Sequence, residues 1–120
     1  GITIMRYVTV YDDIRIKKVI TISSPLKGTY IAHLFPETSE VYKGLSYDNN
    51  ISKEIIAAKN KLTIPIYHIV PMWDNVIIPV DSAKYDETPN DNIYYYNGTK
   101  YSHVGIGCNP DVAKAIIKWL

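Results

Sequence analysis

Val19-Ile20-Thr21-Ile22-Ser23 restricts the fold more than any other stretch. A strand with one wet face alternates apolar and polar residues. This run is apolar or hydroxyl-bearing throughout, as expected for a parallel strand covered on both faces. Ser24-Pro25 ends it, because proline has no N–H to give to a ladder. Two further short apolar runs follow. Pro65 to Val70 stops at Pro71, and Asn92 to Asn97 is bounded by a polar connection and by Gly98.

Helical segments separate these strands. The mostly apolar, β-branched opening from Gly1 to Tyr11 fits a helix or a strand by pattern alone. Helix is preferred because Asp12-Asp13 and Lys17-Lys18 mark a polar turn before the first certain strand. Leu26-Lys27-Gly28-Thr29 reads as a loop into a short helical segment that ends near Leu34 and is broken by Pro36. Thr38 to Leu45 follows as another short helix, with Thr38 as its cap. Ser52 is placed to cap a helix over Lys53 to Lys59, and Ile78 to Ala83 reads as a turn into a weak helix. Asn109 caps the last helix, with Pro110 in its first turn and Val112, Ala115, Ile116 and Trp119 as the inward stripe. Strand and helix in alternation imply an α/β fold: a parallel sheet in a three-layer sandwich, within one domain spanning residues 1–120.

In such sheets the working residues lie on loops beyond the carboxyl ends of the strands. Asp74 follows the second strand and His103 the third, and Ser23-Ser24 end the first. Asp74 fits the acid that orients a histidine and stabilises its imidazolium, and His103 fits a general base. The plainer alternatives are a turn aspartate beside Asn75 and a loop histidine bonded to the backbone. Ser23 and Ser24 are poor nucleophiles, since no G-x-S-x-G turn surrounds them. His68 reads as a structural histidine inside its strand and His33 as a packing residue. Cys108 is the sole cysteine, so no internal disulfide or cysteine-rich metal site is expected.

The histidines and acids show no metal-ligand spacing, and no glycine-rich phosphate loop follows a strand, which disfavours a nucleotide binder. No cofactor is expected. A net charge of +1 gives no footprint for nucleic acid or a membrane surface, and no apolar run reaches the ~20 residues of a transmembrane helix. The first residue is Gly rather than Met. A chain that begins after processing or partway through a longer product is the expectation, and no compartment is indicated.

Three phrases carry a resemblance. Lys18-Val19-Ile20-Thr21-Ile22-Ser23-Ser24-Pro25-Leu26-Lys27-Gly28-Thr29 resembles the strand and "T-L-G-T-P-H-x-G-T" phrase of lipase-like α/β-hydrolases, although no histidine follows Pro25. Asp74-Asn75-Val76-Ile77-Ile78-Pro79, then Ser82-Ala83, is similar to that family's acid segment. Ser102-His103-Val104-Gly105-Ile106-Gly107, then Asn109-Pro110-Asp111-Val112, is similar to its histidine segment. The resemblance implies a partial α/β-hydrolase fold, comprising the last three strands and their helices. It also implies a serine-type hydrolase of carboxylic esters or lipids with Asp74 and His103 as two members of its triad. The family's nucleophile elbow is not in the sequence. Gly1-Ile2-Thr3-Ile4-Met5-Arg6-Tyr7 resembles the helix that follows such an elbow, so the serine is expected just upstream of Gly1. The Val19 to Ser23 strand should then pair on its open edge with a missing amino-terminal half or a partner chain. The alternative is an inactive module, derived from a hydrolase and kept for binding or assembly.

Overall fold

The run without a polar face forms β1 (Val19–Ile22). It pairs in parallel with β2 (Ile66–Pro71), with Val19 opposite Ile66 and Ile22 opposite Ile69. β2 pairs in parallel with β3 (Ile93–Tyr96), with His68 opposite Ile93 and Pro71 opposite Tyr96. The order β1-β2-β3 puts β2 in the centre, which explains why its last four residues are all buried. This computed structural model describes residues 1–11, 13–35, 39–100 and 103–120. The parts of the sequence reading that rest on Asp12, Pro36, Thr38 and Ser102 lie outside the described residues.

Helices cover both faces of the sheet. On one side Met5 and Val8 of α1 (Ile2–Val10) meet Ile55 of α3 (Asn50–Lys59), Val19, Leu26 and Tyr85. On the other, Val112 of α4 (Pro110–Trp119) packs with Ile69, Tyr96 and Ile106, flanked by Ile20, Ile22, Ala115, Ile116 and Trp119. β1 serves both cores, with Val19 in the first and Ile20 and Ile22 in the second. Each aliphatic side chain fully buried in this way contributes roughly 1.5–3 kcal/mol. The architecture is therefore α/β, with a parallel three-stranded sheet between helical layers. Among the described residues β1 has a strand on one side only, so they do not supply the second neighbour expected for its apolar run. Among them, too, no helix is long and apolar enough to cross a membrane.

The helix starts differ from the reading in instructive ways. α3 begins at Asn50, and its cap is Asn49, whose Oδ1 accepts the Ser52 N–H at 2.9 Å. Ser52, expected as the cap, is buried in the first turn and accepts from Asn49 Nδ2 at 3.0 Å. Asparagine caps as well as serine does, and the earlier start also brings Ile51 against the core. α2 is Glu40–Leu45 with Ser39 at its N-cap. Tyr30–Leu34 and Val80–Ala83 are 3-10 turns. His33 is exposed in the first of these, so it is not the packing residue expected. α4 follows the reading closely: Asn109 Oδ1 accepts the N–H groups of Asp111 at 2.7 Å and Val112 at 3.2 Å, with Pro110 opening the helix.

Candidate functional site

β2 ends at Pro71, and the chain turns so that Asp74 stands just beyond the carboxyl end of the central strand. Its side chain is only 1% exposed. Oδ1 accepts the backbone N–H groups of Val76 at 2.8 Å and Ile77 at 3.0 Å, so the carboxylate closes its own turn. Oδ2 is left for groups arriving from the neighbouring strands. It accepts the Ser23 hydroxyl and lies 3.1 Å from His103 Nδ1. The sequence places Asp74 and His103 on separate loops, and the fold brings them within hydrogen-bond distance.

The charges follow from these partners. Burial is the largest influence on Asp74 and alone would raise its pKa. The hydrogen bonds from Ser23, Ile77, Val76 and His103 together outweigh it and hold the carboxyl below its usual range. Asp74 is thus ionised at neutral pH. A nitrogen facing an ionised carboxylate oxygen carries its hydrogen, which assigns neutral His103 the Nδ1–H tautomer and leaves the lone pair on Nε2. The His103 side chain is 28% exposed, and Nε2 has no hydrogen-bond partner among the described residues.

Ser23 joins this pair unexpectedly. It follows β1 with φ +44°, in the left-handed region, and its Oγ lies 2.9 Å from His103 Nδ1 as well as against Asp74 Oδ2. Ser23 is buried, and its hydroxyl faces Nδ1 rather than the open Nε2, so it is not placed to attack a substrate. Ser24 is also buried and donates to its own strand's Ile22 carbonyl at 3.2 Å.

Hydroxyls from both sides tie the loop after β1 to the acid loop and the turn that follows it. Thr29 Oγ1 donates to the Val76 carbonyl at 2.7 Å and accepts the Ile78 N–H at 3.1 Å. Ser82 Oγ donates to the Gly28 carbonyl and accepts the Lys27 N–H at 3.2 Å. Gly28 has φ +86°, and a Cβ there would lie 2.1 Å from the Ser46 carbonyl oxygen, so only glycine fits. The amino end of α1 is at the same edge: a Cβ on Gly1 would come within 2.2 Å of Ser24 Cβ.

Other titratable groups stand apart from this cluster. His68 is fully buried, with Nδ1 2.7 Å from Thr21 Oγ1 and Nε2 3.2 Å from Thr88 Oγ1. Burial, followed by the charges of Lys84 and Lys59, pushes its pKa down to about 4. Cys108 is exposed and free. Among the described residues no group of three or more His, Cys, Asp or Glu could hold a metal ion. A hollow of about 840 Å³, lined by Tyr67, Ile93, Tyr94, Lys114 and Trp119 among others, opens near the start of β3, away from Asp74 and His103. No family model, curated protein or solved structure matches this chain.

An ionised, buried carboxylate bonded to one imidazole nitrogen, with the other unpartnered among the described residues, suits proton transfer. It can take a proton at Nε2 and stabilise the imidazolium that results. It needs a separate nucleophile.

Proposed function

We propose that the chain is the carboxy-terminal half of a lipase-like α/β-hydrolase that cleaves carboxylic esters. The observation that carries this reading is the 3.1 Å contact between Asp74 Oδ2 and His103 Nδ1, with Nε2 unpartnered among the described residues. The nucleophile is a serine in the segment that precedes Gly1. The seating of Gly1 against Ser24, beside Ser23, supports this, because that segment would then enter next to the Asp74–His103 pair. His103 Nε2 takes the serine proton as the hydroxyl attacks the ester carbonyl, and returns it to the departing alcohol. Asp74 holds the ring and stabilises its positive charge throughout.

The test uses the gene product extended through the residues before Gly1. It should hydrolyse a short-chain p-nitrophenyl ester and be labelled by a fluorophosphonate on a serine upstream of Gly1. His103→Ala should lose at least about a thousandfold in rate. Asp74→Asn, which favours the wrong tautomer, should lose about 10⁴-fold. No labelling, together with a stable inactive complex, would instead support the binding or assembly module. Hydrolysis that survives His103→Ala would remove the basis of the reading.

A further inference from the structure

We propose that Ser23 is a positioning residue: its hydroxyl donates to Asp74 Oδ2 and accepts from His103 Nδ1–H, clamping the ring with Nε2 directed outward. The three side chains form a closed triangle, with Ser23 Oγ against Asp74 Oδ2, Ser23 Oγ 2.9 Å from Nδ1, and Nδ1 3.1 Å from Oδ2. Only one placement of hydrogens satisfies it. Oδ2 is ionised and can only accept, so the Ser23 hydrogen points at it and the Nδ1 hydrogen is shared between Oδ2 and Oγ. A ring turned to put Nε2 inward would have to rebuild both bonds at once. With Asp74 alone, the ring could pivot about a single bond.

The backbone gives an independent argument. At φ +44° a side chain is strained and glycine would be the relaxed choice. A serine kept in that conformation, buried and fully engaged by two charged or chargeable partners, is there for its hydroxyl. Burial also separates this role from nucleophilic attack, since Ser23 is buried and its Oγ is engaged by His103 and Asp74.

This inference rests on the proposed role of His103, but its test has a reading that does not. In the gene product that includes the residues before Gly1, Ser23→Gly and Ser23→Ala both delete the hydroxyl. The first relaxes the backbone and the second keeps the strain. The His103 Nδ1 proton, followed by ¹⁵N-edited NMR, should exchange with water about tenfold or more faster in both variants, as expected for the loss of one charge-assisted hydrogen bond. Ester hydrolysis should fall about 10- to 100-fold in kcat in both variants, with KM changed less than about twofold. A purely structural serine predicts something else: Ser23→Gly, relieved of strain, would match the wild type in both readings. An Nδ1 proton whose exchange is unchanged in both variants overturns the clamp. If the wild type hydrolyses nothing, the ester reading falls, and the clamp is decided by the NMR result alone.

Discussion

Lowering the pH should destabilise this protein through His68. In the folded chain the imidazole is buried between Thr21 and Thr88 and titrates at about 4; in the unfolded chain it titrates near 6.5. The neutral ring is therefore favoured by folding. Its contribution is fully present above about pH 6.5, and it is lost as the pH falls toward 4, because the unfolded chain takes up a proton that the folded chain refuses. That depression corresponds to roughly 3 kcal/mol, most of which disappears between pH 7 and pH 4.5. That is a large share of the 5–15 kcal/mol that holds typical domains together. Urea unfolding followed by tyrosine and tryptophan fluorescence at pH 7, 5.5 and 4.5 measures the loss directly. His68→Gln removes the titration, so the variant should lose less stability across that window, by roughly 2 kcal/mol. The depressed carboxyls of Asp13, Asp74, Asp86 and Glu87 titrate in both proteins and cancel in the difference. Parallel stability curves for wild type and variant would show that His68 does not set this pH dependence, as would an NMR midpoint for His68 near 6.5.

Two further outcomes concern the scaffold. Gly28→Ala forces a side chain into φ +86° and against the Ser46 carbonyl, and should destabilise the fold by about 2 kcal/mol or more, read as a fall in thermal midpoint. Asn109→Ala removes the acceptor for the Asp111 and Val112 N–H groups at the start of α4 and should cost about 1 kcal/mol in urea unfolding, without changing the unfolding slope.

The scaffold was legible in the sequence wherever a single local rule decided the outcome. Val19 to Ile22 has no polar face, so it had to be a covered strand. Asn109-Pro110 carries both halves of a helix start, and the stripe from Val112 to Trp119 faces the core as spaced. Where two local signals competed, packing decided. Asn49 and Ser52 are both good caps, and Asn49 prevails with Ile51 in contact with the core. Of the candidate site, Asp74 and His103 could be read because both fall just past strands that the pattern identifies. Ser23 could not. Its contacts lie 51 and 80 residues away along the chain, and they depend on a left-handed backbone turn that no spacing rule reports for serine.

The two oxygens of Asp74 have separate partners, and this divides the roles within the pair. Rotating the carboxylate about its last bond would break the bonds from Val76, Ile77, Ser23 and His103 together, so the acid behaves as a fixed post. The imidazole, partly open to solvent, is held at Nδ1 by Asp74 and Ser23, and among the described residues nothing bonds Nε2. A proton arriving at this edge of the sheet therefore meets the imidazole at Nε2, while the buried acid keeps its place and its charge.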